Sequence, residues 1–139
     1  SVAVEWMRGA RYARAIGIEP RADRRAMAAA NALALGAPRL ELIEGEAPAA
    51  LDGLDAPDAV FLGGGLSAEV FDAAWARLKP LGRLVANAVT LESEAVLMEL
   101  HARHGGQLVR LQAARAEPVG RFRGWRAAMP VTQWSLIKR

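Results

Sequence analysis

Short apolar runs that end on glycine or on an acid alternate along this chain with longer amphipathic stretches, and that alternation restricts the fold more than any other feature. A strand that continues through a helix into a second strand of the same sheet makes a crossover, which leaves the strands parallel and puts helices on the faces. "SVAVEWMRGA" places Ala3, Trp6, Met7 and Ala10 at the spacing of one helix face. "ARAIGIE" reads as a strand closing on Glu19, with Pro20 breaking its ladder. "RADRRAMAAANALALG" is an alanine-rich helix stopping at Gly36, "RLELIEG" a strand and "PAALDGL" a helical turn. "DAVFLGGG" gives a third strand, and "SAEVFDAAWARLKPLG" an amphipathic helix with Ser67 as N-cap and Val70, Phe71, Ala74 and Leu78 inward. "RLVANAV" is a fourth strand, "TLESEAVLMELHARHGG" a helix and "QLVRLQAARAE" a fifth strand. After a Gly- and Arg-rich loop, "PVTQWSLIK" closes the chain as a sixth. The expected fold is α/β, a mostly parallel doubly wound sheet with helices on both faces, in about one domain covering 1–139.

In open sheets of this kind, ligands bind outside the carboxyl ends of the strands. Here each of those ends carries something unusual: Glu19 after the first strand, Gly45, Glu46 and Ala47 after the second, Gly63, Gly64 and Gly65 after the third, Asn87 and Thr90 after the fourth. A carboxylate closing an early strand suits a vicinal diol, because it accepts two hydrogen bonds at once. The triple glycine has neither the Gly-Lys-Ser/Thr ending of a P-loop nor G-x-G-x-x-G spacing, and by itself it reads as a strand-to-helix turn.

Composition narrows the chemistry. There is no cysteine, which excludes disulfides and thiolate metal sites, and two histidines argue against a zinc centre, so no metal is expected. No apolar stretch approaches the ~20 residues needed to span a bilayer and no signal pattern opens the chain, which points to a cytoplasmic protein. The net charge of +3 conceals an asymmetry: residues 105–139 hold seven basic side chains against Glu117 alone. That basic end should meet an anion, whether nucleic acid, a membrane surface or a polycarboxylate. Thr90, with Glu92 and Glu94, reads first as a helix cap, while His101 and His104 suit a helix C-terminus. Trp6, Trp75 and Trp134 look like core or interface anchors.

"IGIEPRADR", "IEGEAPAAL", "DAVFLGGG", "VANAVTLESEAVL", "LHARHGGQL" and "AEPVGRFRGWRAAMPVTQW" follow one another in an order that resembles the class I S-adenosylmethionine-dependent methyltransferases. Within them the chain is similar to the C-terminal methyltransferase domain of the decarboxylating precorrin-6Y C5,15-methyltransferase family of cobalamin biosynthesis. "NAVTLESE" and "GRFRGW" with "PVTQW" carry that finer resemblance, and the acidic and glycine pieces are shared more widely. The resemblance implies a Rossmann-like sheet with an antiparallel strand near the C-terminus, S-adenosyl-L-methionine as cofactor, and a polycarboxylate tetrapyrrole as substrate rather than nucleic acid or a membrane. It further implies a homo-oligomer and a fused N-terminal methyltransferase domain.

By the same resemblance Glu19, with Pro20, would hold the cofactor's ribose, Glu46 and Ala47 would border its adenine, and Gly63, Gly64 and Gly65 would let cofactor and substrate approach bare backbone. Asn87, Thr90, Arg121 and Arg123 would contact the substrate, with Trp125 as a flat stacking surface; core packing of Trp125 is the competing reading. No catalytic dyad is implied. The family's glycine-rich loop and first strand would precede Ser1, between the Ile16 and Phe61 strands, so the chain is expected to be a segment of a longer one. Two other functions share features with this reading. An RNA or DNA methyltransferase would have the same fold, but its Asn/Asp-Pro-Pro-Tyr/Phe element is replaced here by Gly63-Gly64-Gly65. The other is a non-enzymatic dinucleotide-binding module.

Overall fold

The computed structural model describes residues 2–139, which fall into two compact units, Ser1–Leu54 and Asp55–Arg139. The first unit holds α1 (Val2–Gly9), β1 (Ile16–Ile18), α2 (Ala22–Ala34), β2 (Glu41–Ile43) and a 3-10 turn (Ala49–Leu51). β1 and β2 pair in parallel, Ile16 opposite Glu41 and Ile18 opposite Ile43. Arg14, just before β1, grips Glu41 through Nε at 2.7 Å and Nη2 at 3.3 Å. The core here is small: Val4, Ala32 and Ala37 are buried, and Met7 and Leu40 pack against them. The inner face of α1 is therefore Val4 and Met7. Trp6 is 38% exposed and Ala10 is exposed, so the expected face through Ala3, Trp6, Met7 and Ala10 is turned away from its expected position, and Trp6 is not a core anchor.

The second unit holds β3 (Ala59–Leu62), α3 (Ala68–Arg77), β4 (Arg83–Ala88), α4 (Leu91–His104), β5 (Gln107–Leu111), β6 (Ala114–Val119), β7 (Phe122–Ala127) and β8 (Val131–Ile137). Its main sheet has the order β3-β4-β8-β5, with β3, β4 and β5 parallel and β8 running against its neighbours on both sides. The sheet is thus mixed, and the antiparallel strand lies inside it. Ser67 caps α3 by accepting the Val70 N–H at 3.2 Å, and Val70, Phe71, Ala74 and Leu78 are all buried, as the helical spacing predicts. Phe71 stacks on Trp75 at 5.7 Å and meets the buried Trp134 of β8 at 5.3 Å. Trp134 satisfies its indole N–H on the Gly105 carbonyl at 2.8 Å, and Leu84, Leu97 and Leu100 complete the core. His104 lies tilted against Phe71 at 4.8 Å, a packing role for a side chain near a helix end.

Where the sequence suggests one long fifth strand and then a loop, the chain forms three strands, making eight among the described residues instead of six. β5 ends at Leu111, and β6 and β7 form a separate antiparallel hairpin in which Val119 faces Phe122. Gly120, at φ 59°, takes the first place of its two-residue turn, where a type II′ turn calls for glycine.

Candidate functional site

In the first unit the parallel register puts the residues leaving β1 and β2 on one rim, and the Glu19 N–H extends the ladder to the Ile43 carbonyl at 3.1 Å. Glu19 is partly buried, its side chain 27% exposed. One oxygen, Oε1, accepts the Arg21 N–H at 3.0 Å; the other, Oε2, has the Arg24 guanidinium 3.9 Å away. That leaves a lone pair on Oε2 able to accept from an outside donor. Pro20 is exposed beside it. On the same rim Glu46 is exposed and Ala47 half-buried, and the Glu46 carbonyl accepts the Ala50 N–H at 2.9 Å ahead of the 3-10 turn.

In the second unit Leu62 is opposite Ala86, so Gly63, leaving β3, and Asn87, near the end of the parallel β4, lie at the same rim. Gly63, Gly64 and Gly65 are all exposed. A methyl group built on Gly64 would meet nothing within 4 Å, and its φ lies outside the left-handed range. A β-carbon at Gly64 therefore meets no atom of the described residues, and the strained backbone angle belongs to Gly65, at φ 66°. Asn87 is half-buried and its Oδ1 accepts from Gln133 Nε2 of β8 at 3.0 Å. Thr90 spends its hydroxyl on α4, accepting the Ser93 N–H at 3.2 Å and donating to Ser93 Oγ at 3.0 Å. Behind it, Glu94, Arg110 and the buried Thr132 bond to one another, with Thr132 Oγ1 donating to Glu94 Oε2 at 2.9 Å.

The remaining expected residues sit on the hairpin. Arg123 and Trp125 are two apart on β7, hence on one face, opposite Pro118 and Ala116 of β6. Arg121 is in the turn, its guanidinium 5.5 Å from the Phe122 ring centroid. Trp125 is 79% exposed, which removes the core-packing reading. Neither Arg121 nor Arg123 is in an ion pair among the described residues, whereas Arg126 is tied to Glu117 at 2.6 Å. The structure so gathers the expected residues into three places: Glu19 to Ala47 on one rim, Gly63 to Asn87 on another, and Arg121 to Trp125 on the hairpin. Arg25, whose Nη1 donates to the Glu19 carbonyl at 2.8 Å, and Gln133, which donates to Asn87, escaped the sequence reading because each is an ordinary polar residue whose partners only the fold reveals. Among the described residues no group of three or more His, Cys, Asp or Glu is placed to hold a metal ion, and no helix is long and apolar enough to cross a membrane.

The second unit's α/β sheet, with β8 reversed between β4 and β5, and the first unit's parallel pair, with an acid after β1, are elements of the Rossmann-like fold of the class I methyltransferases. A family model described as precorrin methyltransferase domain matches residues 1–138, and the chain belongs to that family. A Sinorhizobium protein named precorrin-6Y C(5,15)-methyltransferase [decarboxylating] is 53% identical over 99% of this chain, which spans 34% of that protein. The C-terminal domain of precorrin-6Y C5,15-methyltransferase from Rhodobacter capsulatus superposes with TM-score 0.89 at 53% identity, covering 99% of this chain and 74% of that one. Precorrin 8W decarboxylase from Methanobacterium thermoautotrophicum follows with TM-score 0.77 at 26% identity, covering 88% of this chain and 68% of its own. The chain thus spans about a third of the length of the curated relative it matches.

Proposed function

We propose that residues 1–139 act as one methyltransferase domain of a decarboxylating precorrin-6Y C5,15-methyltransferase in cobalamin biosynthesis, methylating ring carbon 15 of the tetrapyrrole and releasing carbon dioxide from an acetate arm. The observation that carries this reading is the 53% identity, over 99% of the chain, to a protein named for that activity. S-adenosyl-L-methionine, when bound, supplies an electrophilic sulfonium methyl; the protein has to place it and the ring carbon in line. In this reading Glu19 and Pro20 hold the ribose and Glu46 and Ala47 border the adenine. Gly63, Gly64 and Gly65 leave bare backbone at their rim, and Asn87 presents an amide, with Thr90 beside it, to a carboxylate of the substrate. The macrocycle accepts the electron pair left by carbon dioxide, so the side chains have to orient the acetate and manage the one proton that takes the place of carbon dioxide. Arg121 and Arg123 bind peripheral carboxylates and Trp125 lies against the ring plane.

The protein that carries this domain is read as cytoplasmic, self-associating and fused to a further N-terminal methyltransferase domain; light scattering on the full chain checks its assembly. The reaction is tested by incubating the full chain with precorrin-6Y and S-adenosylmethionine. Two added methyl groups, one from each methyltransferase domain, and one lost carbon dioxide, seen by mass spectrometry, are the expected outcome. Tight NAD binding, or salt-sensitive RNA binding, without affinity for S-adenosylhomocysteine would sink the reading in favour of a dinucleotide module or a nucleic-acid enzyme.

A further inference from the structure

Arg25 lies in the first turns of α2, the helix that follows Glu19, and its side chain is only 18% exposed. Its Nη1 donates to the Glu19 carbonyl at 2.8 Å and to the Pro20 carbonyl at 2.7 Å. Its Nη2 stands 3.0 Å from Oε2 of Glu44, the residue that directly follows β2. One guanidinium so ties the chain leaving β1 to the chain leaving β2. The planar fork of an arginine can serve three acceptors in fixed directions at once, which a compact ammonium on a flexible stem does less well. Glu44 is 76% exposed, so its ion pair is worth little, and the two carbonyl bonds are the part that matters.

Those bonds fall on the stretch that decides where the Glu19 carboxylate points. The Glu19 N–H is fixed by the β2 ladder and Oε1 by the Arg21 N–H, but among the described residues the oxygens of the peptide between Glu19 and Pro20 and of the one after it are held by Arg25 and not by the helix or sheet. A binding group keeps its affinity only while its supports hold it to within about half an ångström. We propose that Arg25 is a positioning residue for the nucleoside end of the cofactor, holding the Glu19–Pro20 turn so that Glu19 Oε2 meets a ribose hydroxyl. This rests on the reading of Glu19 given above, and its test separates the two.

The measurement is calorimetric affinity of the full chain for S-adenosylhomocysteine and for its 2′-deoxy analogue, since the ratio isolates the hydroxyl contact from general support of the fold. The unaltered protein should prefer the hydroxylated ligand by about tenfold or more, the size of one charge-assisted hydrogen bond. In Arg25→Met that preference should fall to about threefold or less while affinity for the deoxy analogue holds, Arg25→Lys should recover part of it, and Glu44→Gln should leave it unchanged. Equal weakening of both ligands in Arg25→Met, with the ratio intact, would make Arg25 a fold support only and overturn the proposal, as would no change in either. If Arg25→Met does not fold, Arg25→Gln, which keeps one donor, makes the same comparison, and an undiminished ratio there also overturns it. A full preference retained in Glu19→Gln would defeat the reading of Glu19 itself, and the role of Arg25 with it.

Discussion

Gly65 and Gly64 stand side by side after β3, and their backbones make opposite demands. Gly65 is left-handed at φ 66°, a conformation that costs a residue with a β-carbon about 1 to 2 kcal/mol, whereas a methyl group on Gly64 would project into open space. Gly65→Ala should therefore lower unfolding free energy by about 1 to 2 kcal/mol and Gly64→Ala by less than about 0.5 kcal/mol, as read by denaturant titration. If Gly64→Ala instead weakens S-adenosylhomocysteine binding without touching stability, the open space is where the ligand lies. A second single-residue effect is set by pH. The hydrogen bond from Arg14 holds the Glu41 carboxyl below its ordinary value of 4.5. A carboxyl depressed in the folded state contributes stability that is complete above the unfolded value and lost as pH falls through the folded one. Acid unfolding should accordingly be shallower in Glu41→Gln than in the unaltered protein over the range below about 4.5, and identical slopes would show that this exposed pair contributes nothing.

The end of α3 is held by a residue more than sixty positions away. Lys138, just past β8, donates from Nζ to the carbonyls of Trp75 at 2.7 Å, Ala76 at 3.1 Å and Leu78 at 2.7 Å. These are the carbonyls that a helix leaves without partners at its C-terminus, and a cation there also meets the favourable end of the helix dipole. Lys138→Met, which keeps the apolar stem, should destabilise the fold by about 1 to 2 kcal/mol in urea titration. An unchanged midpoint would mean that water replaces the ammonium at no cost. No sequence pattern announces such a clamp, and the same limit explains what was legible elsewhere. α3 was readable because Val70, Phe71, Ala74 and Leu78 must all face one core, and the caps Ser67 and Thr90 mark its start and that of α4. The β6–β7 hairpin was not, because nearly every residue in it is exposed and no buried face imposes alternation on the sequence. Glu19 and the triple glycine were visible as odd endings to apolar strands. Gln133, by contrast, reaches Asn87 across 46 residues of chain, through a β8 that inserts between strands instead of adding at the edge.

Across the whole molecule the charge is divided, residues 105–139 carrying seven basic groups against Glu117 alone, and the fold shows how much of that charge is free to act. Arg110 is engaged with Glu94 and Thr132, Arg126 with Glu117, and Lys138 with α3, so these three are spent on structure. Arg121 and Arg123 are not in ion pairs among the described residues, and they stand with the exposed Trp125 on a hairpin whose strands have no buried residue. A lone exposed arginine is worth ~0 to 1 kcal/mol to any partner, but two on the same hairpin as an exposed aromatic face, under a large ring that excludes water, should act together. Arg121→Ala combined with Arg123→Ala is therefore expected to raise the dissociation constant for the tetrapyrrole at least about tenfold, with cofactor affinity and melting temperature nearly unchanged. Salt should narrow the gap between the unaltered protein and the double variant, because part of the attraction is long-range and screened over a Debye length of ~8 Å at physiological ionic strength. The measurement is a pair of titrations, substrate and S-adenosylhomocysteine, on the same protein at low and high salt. Equal losses for both ligands would make the hairpin a support of the fold, and no loss for either would leave the two free arginines without a part in binding.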